Sequence, residues 1–277
     1  MIIWLASYPK SGNTWVRLFL NSLVFTSDAF VNINDIRLEQ FPTRKYFKDI
    51  TNNVDDLTEF IQNCNYAQSK LNLDNKIKFF KTHNGLWKIG QHRFTDNENT
   101  LGVIHIVRDP RNVVTSIKNH YNYRTYEEAL DFIKDENKIL GKIGSEKEED
   151  LPTIVSSWKL HYKSWKNLGG LERKYILIKY EDLIKDPVRE FTKITSFIEN
   201  ISKITFDEKN ILKAIENTKF ENLKKQEELK GFKESPKNSI KFFHLGPKND
   251  WQNILDKKIK DDIEISFGNE MQDLGYL

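Results

Sequence analysis

The first fifteen residues constrain the fold more than any other stretch of the chain. A continuous apolar run, Ile2–Ser7, ends at Tyr8-Pro9 and gives way within a few residues to a helical pattern. Such a run reads as a strand buried on both faces. Beyond it Trp15, Leu18, Phe19, Ser22 and Leu23 recur at i, i+3, i+4, i+7 and i+8, with Arg17 the only charge through Ser27. Ser11 is a good N-cap type, so a largely buried helix is expected to start there. Strand patterns return at Lys76–Thr82, Leu101–Val107 and Lys174–Lys179. Helical patterns occupy Val54–Lys70, Pro110–Tyr121, Tyr126–Leu140, Thr153–Leu168, Pro187–Glu199, Asp207–Asn217 and Lys257–Met271. Asp109-Pro110 puts an N-cap residue before a proline at N1. The alternation predicts an α/β fold of three layers, a central parallel sheet flanked by helices, with ligands in the crevice beyond the carboxyl ends of the strands.

Composition excludes several alternatives. With 6 Trp, 10 Tyr and 18 Phe the chain can build a sizeable core, unlike a disordered one. Its 277 residues suit a single domain over 1–277, and no linker or repeat interrupts them. The longest uncharged run, Leu18–Ser27, is about half of the ~20 apolar residues a membrane-spanning helix needs. The N-terminus lacks a basic region ahead of an apolar one, so no signal peptide is expected and the cytoplasm is the predicted location. A lone Cys64 cannot form an intrachain disulfide or a Cys-rich metal site. A formal charge of +3 is too mild for a nucleic-acid binder. The mixed-sign runs Lys142–Asp150 and Lys219–Lys233 read as solvated helix faces.

Chemistry-bearing residues gather at strand ends. Tyr8-Pro9-Lys10-Ser11-Gly12-Asn13-Thr14-Trp15 lies where the first strand turns into the first helix, so free N–H groups and the positive end of the helix dipole converge there. Gly12 permits close backbone approach, Ser11 and Thr14 offer hydroxyls, and Lys10 adds a mobile charge. The Walker A pattern is absent, because the lysine precedes the glycine. Arg108 follows the third strand and Ser116 stands eight residues later, a fork and a hydroxyl able to hold one phosphate. Lys81-Thr82-His83 closes the second strand, and a histidine there can take a proton from an acceptor hydroxyl. His92, His105, His120, His161 and His244 lack that context.

Tyr-Pro-Lys-Ser-Gly-x-Thr-Trp at the end of an N-terminal strand resembles the 5′-phosphosulfate loop of the cytosolic-type sulfotransferases, which use 3′-phosphoadenosine 5′-phosphosulfate (PAPS) as donor and have a P-loop nucleoside-triphosphate-hydrolase-like fold. The resemblance implies that Lys10 contacts the bridging region of the phosphosulfate, that the Ser11–Thr14 loop, Asn13 included, binds the 5′-phosphate, and that Trp15 packs against adenine. It gives Arg108 and Ser116 to the 3′-phosphate. It makes His83 the general base and Lys81 a second lysine at the transition state, with no metal. Tyr180-Glu181-Asp182 is similar to the family's Tyr-Glu-Asp segment, whose Tyr reaches the adenine. Thr218 and Phe220 resemble a Thr-x-Phe that continues the base pocket. Ser157-Trp158, His161 and Ser164-Trp165 match a Trp-bearing helix that is expected in the core. Near residue 244 the family has Arg-Lys-Gly, then Asp-Trp-Lys-Asn. Gly246, Asp250, Trp251 and Asn253 match, while His244-Leu245 replace Arg-Lys, so His244 is the candidate contact and weaker 3′-phosphate binding or a shifted loop is expected. Glu221–Lys241 would by the same resemblance fold over the donor as a mobile lid.

The expected activity is sulfuryl transfer from PAPS to a hydroxyl or amine of a small-molecule, lipid or carbohydrate acceptor, by a monomer or homodimer. Phe25–Tyr46, Gly85–Phe94 and His120–Tyr126 are the candidate acceptor loops. A P-loop nucleotide kinase and a non-catalytic nucleotide-binding module are the alternatives. The displaced lysine weighs against the first, and the altered His244-Leu245 pair keeps the second open.

Overall fold

The structure, a computed structural model, describes residues 1–141, 151–168, 174–235 and 241–277. The run Lys142–Asp150 and part of the lid segment, 236–240, lie outside these residues. The strands are β1 (Ile2–Ser7), β2 (Glu39–Gln40), β3 (Lys78–Thr82), β4 (Lys88–Ile89), β5 (His92–Arg93), β6 (Thr100–Val107), β7 (Ile139–Leu140), β8 (Thr153–Ile154) and β9 (Tyr175–Lys179). The helices are α1 (Asn13–Phe25), α2 (Leu57–Leu71), α3 (Pro110–Tyr121), α4 (Tyr126–Lys134), α5 (Trp158–Lys166), α6 (Tyr180–Lys185), α7 (Pro187–Ile201), α8 (Glu208–Asn217), α9 (Phe220–Lys230) and α10 (Lys257–Asp273).

Five strands form the central sheet in the order β2-β3-β1-β6-β9, flanked by helices as in an α/β three-layer fold. β1 lies parallel to both β3 (Ala6↔Thr82) and β6 (Ala6↔His105), and β2 lies parallel to β3. From β1 the chain builds outward through β3 on one side and through β6 on the other, the strand-order reversal at which open α/β sheets bind ligands. Every residue of β1 is buried, as a continuous apolar run in an interior parallel strand requires.

Contacts divide the chain into two compact units, each gathered from three segments. The first holds 1–8, 39–106 and 135–177. Its core is aromatic: Trp4 packs against Phe41, Phe80 and Phe94 with ring centroids 5.1–6.1 Å apart. The Trp158–Trp165 helix is core, as expected, with both indoles buried. Buried beside it are His105, whose Nδ1 lies 2.8 Å from the Tyr175 hydroxyl, and His161, whose ring meets Tyr8 edge-on. Burial pushes His161 down to about 3, and burial with the neighbouring His161 holds His105 well below 6.5. The second unit holds 9–38, 107–134 and 178–277.

Both histidines stay neutral when folded and take up protons on unfolding below pH 6.5, so stability is lost as pH falls into that range. Glu181, raised by burial, takes up its proton in the folded state and opposes this. Two histidines against one carboxyl leave a loss of about 1.4–2.7 kcal/mol per pH unit between pH 6 and 5. Urea midpoints across that interval should fall accordingly, and a flat profile would refute the buried-neutral assignment.

Several expected boundaries shift, each for a local reason. Ser11 does not cap α1: Gly12 occupies the N-cap in the left-handed region, and the buried Ser11 Oγ has no partner among the described residues. α2 starts at Leu57 rather than Val54 because the Asp56 carboxylate accepts from Thr58 N and Glu59 N. The helix expected over Tyr126–Leu140 stops at Lys134, where Asp135 turns the chain by accepting from Asn137 N, and Ile139–Leu140 pair with Thr153–Ile154 instead. That pairing also removes Thr153–Val155 from the next helix. Left-handed Ser156 breaks the run, and Ser157 caps α5 by accepting from Leu160 N. α9 exposes most of its charges, as expected of Lys219–Lys233, but Glu227 is buried.

Candidate donor site

The residues from Lys10 to Gly246 implicated by sequence fall in the second unit, apart from Lys81 and His83. After β1 the backbone turns through left-handed Lys10 (φ 66°) and Gly12 (φ 95°) before α1 begins. α1 has no acidic residue in its first turn, so nothing on the helix offsets the positive end of its dipole. Gly12 is required twice over. Its φ penalises any side chain, and a Cβ there would stand 2.3 Å from Tyr180 Cδ2.

Tyr180, the first residue of α6, is packed under the loop. Its ring carries the Arg108 guanidinium 4.3 Å from the centroid and meets Trp15 edge-on at 6.2 Å. Burial raises its phenol above the usual value, with Arg108 opposing, so it stays neutral. Arg108 Nη1 donates to the Lys10 carbonyl and to Ser116 Oγ, both at 3.0 Å. Arg108 and Ser116, expected to share one phosphate, thus lie within hydrogen-bond distance of each other, and the same guanidinium ties strand end β6 to the loop after β1. Asn249 Nδ2 donates to Ser116 Oγ (3.1 Å) and to the Asn112 carbonyl, while Thr115 Oγ1 donates to Asn249 Oδ1. Sequence reading passed over Asn249, whose only signal was its place just before Asp250-Trp251.

Asp109 is engaged elsewhere. It caps α3 through Arg111 N and is gripped by the Arg111 side chain, with Nη2–Oδ2 at 2.7 Å. The Trp251 ring lies 3.9 Å from Arg111 Cζ. Among the described residues no group of three or more His, Cys, Asp or Glu could hold a metal ion.

Lys10 extends to Phe242, its Nζ 4.3 Å from the ring centroid, and approaches His120 Nδ1 at 3.4 Å. Sequence placed His120 at the start of a candidate acceptor loop rather than beside Lys10, and it did not single out Phe242. Phe242 N and Phe243 N donate to the two oxygens of buried Glu227, at 2.7 and 2.8 Å. This explains the charge hidden in α9. Gly246 touches Phe220, whose ring would meet a Cβ at 2.3 Å. Buried Thr218 spends its hydroxyl on the Ala214 and Ile215 carbonyls at the end of α8. His244 and Lys248 are both exposed.

Ser11 Oγ, Trp15 Nε1 and Arg108 Nε are buried without a partner among the described residues. Buried donors of this kind are costly unless something accepts from them. Set around a helix N-terminus with Lys10, they fit an anionic phosphate or sulfate ester.

In the first unit, His83 follows β3. Its Nδ1 lies 2.8 Å from the Ser7 carbonyl and 3.3 Å from Ser7 Oγ. A carbonyl only accepts, so Nδ1 carries a proton, and in the neutral imidazole the lone pair is then on Nε2. Lys81, in β3, is half-buried and in register with Leu5.

Comparison with known proteins identifies the family. The family model described as "Sulfotransferase domain" matches residues 2–275. Cytosolic sulfotransferase 15 of Arabidopsis thaliana is 26% identical over 91% of this chain, which spans 66% of that relative, just under two thirds of its length. Sulfotransferase 1 family member D1 of Rattus norvegicus is 22% identical over 91% of this chain and 77% of its own. A mouse sulfotransferase solved with PAP superposes with a TM-score of 0.61 at 20% identity, covering 99% of this chain and 85% of that one. A retinol dehydratase solved with androsterone and the inactive cofactor PAP gives 0.60 at 18%, covering 98% and 81%. No helix among the described residues is long and apolar enough to cross a membrane.

Proposed function

This chain belongs to the sulfotransferase domain family of PAPS-dependent enzymes, and from that premise we propose that it moves a sulfuryl group onto a hydroxyl or amine of a small-molecule, lipid or carbohydrate acceptor, with His83 as general base. In this reading His83 Nε2 takes the acceptor's proton as the acceptor oxygen or nitrogen forms its bond to sulfur. The bond from sulfur to the bridging oxygen breaks, and its electron pair leaves with PAP. Lys10, Lys81 and the loop N–H groups stabilise the charge that grows on the bridging and equatorial oxygens. Arg108 and Ser116 hold the 3′-phosphate, Trp15, Tyr180, Thr218 and Phe220 surround the base, and His244 and Gly246 belong to the 3′-phosphate loop. The family match runs through both units, which supports treating 1–277 as one catalytic domain. We further take the chain to act in the cytoplasm, as a monomer or homodimer.

The observation that carries the donor assignment is the Arg108 fork joining Lys10 and Ser116 beside the three orphaned donors. PAP should raise the melting temperature in the absence of metal, and ATP with Mg²⁺ should not. The reverse pattern would favour a nucleotide kinase. Relatives and neighbours act on or bind flavonol, androsterone and retinol by their names. A screen of hydroxylated acceptors with radiolabelled PAPS identifies the substrate here.

Gly12→Ala should impair this site. Left-handed backbone with a Cβ costs about 1–2 kcal/mol, and the clash with Tyr180 adds to it. The melting temperature should fall by roughly 2–8 °C, and the PAP-induced shift should shrink. An unchanged shift would show that the turn is not part of the donor site.

A further inference from the structure

Lys10 is held from two sides by residues that the proposed mechanism does not use. Its ammonium lies over the Phe242 ring and against His120 Nδ1, at 4.3 and 3.4 Å. An ammonium has only hydrogens to give, so in this contact His120 Nδ1 is the acceptor, which requires the tautomer with the proton on Nε2. Both supports are themselves anchored. His120 stands in the last turn of α3, its ring edge-on to Tyr121 at 4.8 Å and to Phe242 at 6.3 Å. Phe242 is fixed through its backbone by the buried Glu227 carboxylate. The lysine stem is long and rotamer-rich, and left to itself it would spread its charge over a wide volume. The His120 acceptor and an aromatic face confine it before any anion arrives.

We propose that His120 is a positioning residue for sulfuryl transfer: its Nδ1, with the Phe242 face, holds the Lys10 ammonium in one orientation above the donor loop. This rests on the sulfotransferase reading and on Lys10 acting at the transferring group. Positioning of a charged group matters most where charge develops, so the effect belongs to the rate of transfer rather than to the affinity of the product nucleotide, which lacks the sulfuryl group.

Two substitutions separate the hydrogen bond from the packing. His120→Phe keeps an aromatic ring and removes the acceptor, while His120→Asn keeps an acceptor oxygen near the Nδ1 position and removes the ring. With radiolabelled PAPS and the acceptor found by screening, His120→Phe should lower kcat about tenfold while the Kd of PAP stays within about twofold. His120→Asn should restore most of the rate. In a Lys10→Met background His120→Phe should have no further effect, because the group it positions is gone. Full activity in His120→Phe, a larger loss in His120→Asn, or additive losses with Lys10→Met would each overturn the proposal. A wild-type chain that binds PAP but has no PAPS-dependent turnover would instead overturn the enzymatic reading, and this inference with it.

Discussion

Replacing His83 by alanine should lower kcat by about 10²–10⁴-fold, the range for removing a positioned general base. The basis is local. The Ser7 carbonyl accepts a hydrogen bond from Nδ1–H at 2.8 Å, so the neutral imidazole is held in the tautomer that presents its lone pair at Nε2. Ser7 is the last residue of β1 and is fully buried, so its carbonyl is held by the sheet rather than by a loop. Alanine removes the base and leaves the Arg108, Ser116 and Lys10 arrangement untouched. The Kd of PAP should therefore change by less than about threefold while turnover collapses. His83→Gln can still hydrogen-bond but cannot act as a base near neutral pH, and should be as inactive as the alanine variant. Turnover within about tenfold of wild type in either variant would remove His83 from the mechanism.

Arg108→Ala should raise the Kd of PAP by roughly 10–150-fold, because a charge-assisted hydrogen bond to a buried partner contributes about 1.5–3 kcal/mol. Nη1 is shared between the Lys10 carbonyl and Ser116 Oγ, so the substitution frees the donor loop and removes one of the two donors that reach the serine, Asn249 staying in place. The guanidinium also lies over the Tyr180 ring, its Cζ 4.3 Å from the centroid, a contact that lysine does not reproduce with the same geometry. Arg108→Lys should therefore recover only part of the affinity. Titration calorimetry at two salt concentrations checks both points: the variant should show a weaker salt dependence as well as weaker binding. A Kd within threefold of wild type would place the 3′-phosphate elsewhere.

The sheet was legible because its two central strands, β1 and β6, are largely apolar runs closed by turn chemistry. Ile2–Ser7 and Pro110–Tyr121 appear with the expected bounds because the first ends at a proline and the second begins after an Asp-Pro cap. Two-residue strands such as β2 and β7 left no period to read, and their formation depends on partners distant in sequence, so Tyr126–Leu140 and Thr153–Leu168 looked helical throughout. Ser11 was mistaken for a cap because residue type alone does not reveal that Gly12 takes the left-handed turn. Within the site, Arg108 and Ser116 could be paired because both lie on one short stretch. His120, Asn249 and Phe242 could not, since their roles arise only when α3 and the 242–249 loop are packed together.

Glu227 grips the backbone N–H groups of Phe242 and Phe243, and Asn249 reaches back to Ser116, so the loop between them is clamped at both ends without help from its own side chains. That has an evolutionary consequence. Residues 244 and 245 are released from holding the loop's shape, and substitution there alters what the loop offers to a ligand while its path is kept. Exchange at these two positions can then be absorbed without refolding, and under the donor reading proposed above they are the place to retune affinity by design.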